Sequence, residues 1–271
     1  LIHHTDLIRI FRALRAQTIK AAALERDPNE PGRKKKAQFD RQLQKLVMRH
    51  FDKQYGLIEQ ALSDNYPERK ALADTPNIDD FIDWDDPDFE RDLIIVLEDA
   101  ARDGVTLFKQ TVVQGIDYAG VNIRAADWAK KYAGKLIKNI DDTTRKMVRD
   151  IIADFVKTPE MTIGDAMDLM PFGEARSQLV ATTEITRTYA RANQLAGEAL
   201  KEQYPDVRVT KTFHTNNDSL VCDICGPLNG QEVDIDQPFV HPDTDEEYDN
   251  PGDTHPGCRC WTSTGTRLVD E

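Results

Sequence analysis

The chain has 271 residues, 39% of them hydrophobic, and at this length a compact protein buries roughly 70% of its extended surface, enough for a core without staples. No run of about 18 apolar residues offers a membrane span, since Leu107–Ile116 is interrupted by Lys109 and Gln110, and residues 1–12 show no secretory leader pattern. The net charge of -13 is uneven: residues 1–60 carry 13 basic and 7 acidic side chains, 61–103 carry 4 and 14, 104–197 carry 13 and 11, and 198–271 carry 5 and 16, which argues against generic duplex binding through the acidic carboxyl end.

Apolar residues recur at helical spacing from Ile2 to Leu24, including Leu7, Ile10, Phe11 and Leu14, and predict a first helix. Asp27-Pro28-Asn29-Glu30-Pro31-Gly32 breaks it. Arg33-Lys34-Lys35-Lys36 then opens a second helix through about Leu62, with Phe39, Leu43, Leu46, Val47, His50, Phe51, Tyr55 and Ile58 as its apolar stripe. These four basic residues are candidate docking positions for DNA or protein, and a protein-docking or solvated face is favoured over nucleic acid.

Pro67 and the stretch Asp74–Pro87 mark a boundary, where closely spaced aspartates repel and two prolines interrupt regular structure, so an exposed connector is expected. Helical patterns resume at Phe89, Leu93 and Leu97, and again over 106–121 and 123–137, with Gly104, Gly115 and Gly120 allowing breaks or close packing. Asp141-Asp142-Thr143-Thr144 reads as a further helix start, followed by a short helix over 162–170 and a long one over about 174–202.

Beyond Pro205 the character changes. Val207, Val209, Thr212 and Phe213 suggest an extended element, and turns follow at Asn216-Asn217-Asp218 and Leu228-Asn229-Gly230. The expected fold is mainly α: an elongated helical body with a small irregular α+β C-terminal module. Its divisions are a basic helical N-terminal region (1–73), an acidic connector (74–88), a helical core (89–204) and a cysteine-containing C-terminal module (205–271).

All four cysteines fall in Cys222-Asp223-Ile224-Cys225 and Cys258-Arg259-Cys260. Two close pairs separated by a returning chain suit a tetrahedral zinc site, which would stabilise a segment with little apolar core of its own. His255 stands three residues before Cys258, so Cys222, Cys225, His255 and either Cys258 or Cys260 compete with a four-cysteine shell. Disulfides or unligated thiols are the alternative, and a redox pair is disfavoured by the missing thioredoxin-like context. The acidic run Asp243–Asp249 has carboxylates but no calcium-loop spacing. On the preceding helix, Thr183, Glu184 and Arg187 place a carboxylate one turn from a guanidinium, a structural ion pair. No glycine-rich nucleotide fingerprint, His-Glu-x-x-His or Gly-x-Ser-x-Gly motif is present, so no catalytic residue is assigned and the chain is expected not to be an enzyme.

The ordered set Ile140-Asp141-Asp142-Thr143-Thr144-Arg145, Ala181-Thr182-Thr183-Glu184-Ile185-Thr186-Arg187, Cys222-Asp223-Ile224-Cys225-Gly226-Pro227-Leu228-Asn229-Gly230 and Thr254-His255-Pro256-Gly257-Cys258-Arg259-Cys260 resembles the phage head morphogenesis family of Mu F-like minor head proteins, over roughly residues 105–265. The resemblance implies a minor capsid protein associated with the portal or inner head that assists procapsid assembly, DNA packaging or genome delivery. It implies the portal protein as partner, with the major capsid or scaffolding protein or DNA as further ones. The location it implies is the virion, at the capsid interior or portal vertex, after assembly in the host cytoplasm. Thr183, Glu184 and Arg187 fall in the family's helical signature, and Cys222, Cys225, His255, Cys258 and Cys260 in its terminal signature. An internal DNA-binding virion protein and a metal-dependent enzyme are the alternative functions.

Overall fold

A computed structural model describes residues 25–65, 78–80, 82–112, 115–158 and 160–269. The helix expected over Ile2–Leu24 and the break at Pro67 lie outside the described residues. Five α-helices are present among those residues: α1 (Arg33–Asn65), α2 (Pro87–Thr111), α3 (Tyr118–Lys157), α4 (Ile163–Leu169) and α5 (Glu174–Gln203). Five strands follow: β1 (Val207–His214), β2 (Glu232–Asp234), β3 (Phe239–Val240), β4 (Glu247–Tyr248) and β5 (Trp261–Leu268). The mainly α body with a small C-terminal α+β module is the fold that the periodicity predicts.

Helix α5 is the centre of the body. Apolar and small residues cover it on nearly all sides, from Ala181 and Ile185 through Tyr189, Ala192 and Ala196 to Leu200, as expected of a helix surrounded by others rather than lying on a surface. α1, α2 and α3 pack around it. On α3, Ala125, Ala129 and Ala133 recur at four-residue spacing and are fully buried, which lets neighbouring backbones approach. At Gly104 of α2 an added Cβ would sit 2.8 Å from the Ala192 Cβ, so this glycine serves close helix contact and does not break the helix.

Two expected boundaries are absent. α3 runs unbroken through Gly120, Gly134 and the Asp141–Thr144 stretch. The two threonines there bond back into their own helix, Thr143 Oγ1 to Asn139 O and Thr144 Oγ1 to Ile140 O, instead of capping a new one. Asp141 has a partner in another helix: His50 Nε2 lies 3.1 Å and Gln54 Nε2 2.9 Å from its Oδ1. His50 Nδ1 lies 3.0 Å from Asp86, the N-cap of α2, so one imidazole ties α1 to the other two helices. α4 begins with a full capping box, Thr162 and Asp165 each satisfying the other's amide.

The described part of the acidic connector is packed and not free. Ile82 and Trp84 are buried in the main core, and Trp84 Nε1 donates to Asp79. Arg149 on α3 pairs with Asp79, and Lys53 and His50 face Asp86. The charges of Arg149 and Lys53 offset the mutual repulsion of the aspartates.

In the module, β1 is the middle strand of the order β2-β1-β5, antiparallel to both, with Thr212 opposite Glu232 and His214 opposite Trp261. β3 and β4 form a separate hairpin, Phe239 opposite Tyr248. Val207 and Val209 at the start of β1 join the main core, whereas Phe213 near its end joins a second, small one with Cys225, Leu228, Phe239, Cys258 and Cys260. Three of the six buried members of this second core are cysteines, so its apolar content alone is slight.

Candidate metal centre

The strand register brings the cysteine pairs together. β1 ends at His214 and β5 begins at Trp261 directly opposite it, so the chain leaving one strand and the chain entering the other meet at the same end of the sheet. After β1, Arg259 clamps the loop by donating to both oxygens of Asp218, at 2.6 and 3.0 Å. Cys222 to Cys225 then form a tight turn in which Gly226 N donates to Cys222 O at 2.9 Å and the Cys225 amide points at the Cys222 sulfur, 3.4 Å away. On the returning side His255 to Cys258 make a second turn, through Gly257 at φ +83°.

The side chains converge as two triads that share one sulfur. Cys222, Cys225 and His255 form the first, and Cys225, Cys258 and Cys260 the second, the ligand atoms of each lying within 4.8 Å of one another. His255 Nε2 is 3.1 Å from Cys222 Sγ and 3.3 Å from Cys225 Sγ, and Cys225 Sγ is 3.9 Å from Cys258 Sγ. His255 Nδ1 lies 2.8 Å from Pro256 O. A carbonyl only accepts, so Nδ1 carries a hydrogen and Nε2 is the ring nitrogen turned to the two sulfurs, the orientation a ligating imidazole requires.

The four cysteine sulfurs are not bonded to one another, and Cys225 Sγ and Cys258 Sγ stand 3.9 Å apart, well beyond a disulfide bond length. Hydrogen bonds from Cys225 and Cys260 hold the Cys258 thiol well below the ordinary range, against the opposing effect of burial. The same bonds to Cys258 push Cys225 up, and Cys260 is pushed up by its bonds to Cys225 and Cys258. Three sulfurs this close hinder one another's ionisation, and a soft cation would let them ionise together. The donor set fits: soft sulfurs with one imidazole, gathered from two turns, with Cys225, Cys258 and Cys260 buried and Cys222 and His255 half-buried. All five residues expected as ligands could hold a metal ion, and Cys225 belongs to either arrangement.

The module's other histidines and its acidic run take no part in either triad. His214 stacks on Trp261 and meets Ser263 Oγ at 2.7 Å, while His241 faces Asp223 O. Among the described residues, the Asp243–Asp249 carboxylates form no metal-ligand group; Glu246 instead accepts from Tyr248 OH at 2.6 Å. Of the basic run, Arg33, Lys34 and Lys35 are exposed, but Lys36 is buried. Its ammonium donates to Glu30 at 2.8 Å and lies over the Tyr189 ring, so Lys36 is withdrawn from any docking role: a cation inside a core must be paired.

The ion pair expected on α5 is present and larger than expected. Arg187 Nη1 donates to Glu184 at 2.8 and 2.9 Å, and Tyr132 OH donates to the same carboxylate at 2.6 Å. Arg187 Nε reaches Asp253 at 2.7 Å, and Nη2 donates to Gly252 O. Burial raises the Glu184 carboxyl above its ordinary range although Arg187 and Tyr132 oppose the shift. Burial also works against the charge of Arg187, but Glu184, Tyr132 and Asp253 outweigh it and the guanidinium holds its proton more tightly than usual. Tyr132 and Asp253 were not legible as members of this network from spacing. Tyr132 reads only as an aromatic four residues from Trp128, on which it does stack at 4.9 Å.

The family model described as Phage Mu protein F like protein matches residues 126–263. No curated protein and no solved structure matches the chain.

Proposed function

The chain belongs to the Phage Mu protein F like family, and from that membership we propose that it is a minor capsid protein of phage head morphogenesis. It associates with the portal or inner head, meets the portal protein first, and assists procapsid assembly, DNA packaging or genome delivery. The observation that carries this reading is the span of the match, which takes in α3 from residue 126, all of α5 and both cysteine turns, so the central helix and the terminal module belong to one family unit. The role is binding and organisation, not bond-making chemistry. A zinc ion held by the Cys222, Cys225, His255 and Cys258 or Cys260 donors would fill its four positions with protein and leave none for a substrate, so its chemistry would be that of a staple. In that role the ion would supply cohesion to a small core that has few apolar residues of its own.

The assembly role predicts that the protein is retained in DNA-free procapsids that contain the portal and is missing from matched portal-lacking particles, as counted by quantitative mass spectrometry. Equal retention in both would favour shell or scaffold docking. Absence from both would sink the procapsid reading in favour of a DNA-associated protein, for which the exposed Arg33, Lys34 and Lys35 are the contact residues to neutralise.

A further inference from the structure

The second half of the metal centre does not hold itself in place. Between β4 and β5 the chain from Asp249 to Gly257 has no regular secondary structure, yet it must deliver His255 and Cys258 to within a few ångströms of Cys222 and Cys225. It is fixed at four points from outside. Lys211 Nζ, drawn down to about 8 by burial, donates to Asp249 O at 2.7 Å. Gln194 Oε1 accepts from Asn250 Nδ2 at 2.7 Å. Arg187 holds Gly252 O and the Asp253 carboxylate. Thr183 Oγ1 accepts from the Gly257 amide at 2.7 Å while donating to Leu179 O at 2.7 Å.

Three of these four anchors, Thr183, Arg187 and Gln194, lie on α5. The loop is pressed onto that helix: a Cβ at Gly252, where φ is +85°, would lie 3.0 Å from Arg187 N and 3.1 Å from Thr183 O, and a Cβ at Gly257 would lie 2.6 Å from Leu179 Cδ1. At Gly252 both the backbone conformation and the nearby α5 backbone call for glycine, whereas at Gly257 the positive φ alone does, since the tip of the partly exposed Leu179 can turn aside. Arg187 is itself locked by Glu184 and Tyr132, so it cannot swing away from the loop without breaking a buried ion pair.

We infer that Thr183 and Arg187 are positioning residues for the metal centre: α5 sets the placement of His255 and Cys258, and through them the affinity of the site. This rests on the metal reading above. Groups outside the ligand shell that orient ligands typically alter metal affinity by about 10–100-fold, and here the orienting groups belong to the helical body, not to the module. Metal binding and docking of the module on α5 are consequently linked, each strengthening the other.

The test uses the full chain and Co2+, read by its d–d absorption and by competition with a chelator. Thr183→Val keeps the shape and removes the acceptor for Gly257 N, and Arg187→Met removes the hold on Gly252 and Asp253. Each is expected to weaken Co2+ binding by roughly ten-fold or more and to change the d–d band, with helical circular dichroism retained. Thr183→Ser, which keeps the hydroxyl, is expected to bind within about two-fold of the parent. Parent-like affinity and spectrum in Thr183→Val and Arg187→Met would overturn the inference while leaving the metal reading intact, as would equal weakening by Thr183→Ser and Thr183→Val. Failure of the unaltered protein to take up Co2+ would overturn the metal reading and this inference together.

Discussion

Cys225→Ser is expected to abolish tight metal binding and to melt the small core of the terminal module while the helical body stays folded. Serine nearly preserves shape but is a poor ligand for a soft cation, so the substitution isolates ligand chemistry from packing. Cys225 is the one sulfur common to both triads, and no alternative shell spares it. The apolar partners left behind, Phe213, Leu228 and Phe239, are too few to hold the segment against its chain entropy. In small zinc domains the metal supplies about 10–16 kcal/mol of apparent folding free energy, and part of that is at stake here. The check is metal content by elemental analysis, together with near-ultraviolet circular dichroism and hydrogen exchange over residues 210–214 and 258–264. A metal-free variant with parent-like protection in those strands would show that the module stands without an ion. Chelation of the unaltered protein should reproduce the variant.

The second large effect is expected at Glu30. Its Oε1 accepts from Lys36 at 2.8 Å and from Arg26 at 3.3 Å, and Arg26 also pairs with Asp40 at 2.8 Å. Arg26, Glu30 and Lys36 are almost wholly buried, so the two cations are balanced by two carboxylates in a place where water cannot help. Burial lowers the Lys36 ammonium below its ordinary range even with Glu30 opposing. Glu30→Gln leaves one carboxylate for two cations, and breaking a buried pair in this way costs about 3–5 kcal/mol. For a protein of this size that lowers the melting midpoint by on the order of 10 °C. Lys36→Met alone is expected to destabilise as well, because it leaves Arg26 to balance two carboxylates, and Glu30→Gln combined with Lys36→Met, which restores one cation to one carboxylate, should recover most of either loss. Thermal unfolding of the three variants is the measurement. An unchanged midpoint in Glu30→Gln would mean that the cluster is solvated and balanced in another way.

The contrast between these two sites shows what a sequence exposes. The cysteine cluster is legible because residue type and short spacing mark it, and Cys222 to Cys225 and His255 to Cys258 carry that mark locally. The helical body was legible for a similar reason, since apolar residues at three- and four-residue intervals mark a face whatever it packs against. In sequence Glu30 is only part of a turn, because its meaning comes from Arg26 and Lys36 being buried beside it. Arg187 showed its neighbour one helical turn away, but its contacts with Tyr132 and Asp253 cross 55 and 66 residues, and no local pattern encodes such a pairing. Asp141 to Thr144 misled for the same cause: oxygens suited to a helix start were engaged by α1 and by the helix's own carbonyls.

The central place of α5 also governs the order in which the chain can fold during synthesis. α1 ends at Asn65 and α5 begins at Glu174, so more than a hundred residues must be made before α1 meets the helix that covers much of its apolar stripe. At typical translation speeds of about 5–20 residues per second, that interval is on the order of ten seconds. During it Phe39, Leu43 and Val47 face water or a chaperone. The loop from Asp249 arrives later still, and only then are Thr183 and Arg187 engaged. The nascent protein is therefore expected to stay soft and aggregation-prone until its last quarter is made, and truncations that stop before α5 should be caught by chaperones instead of folding as shorter bundles.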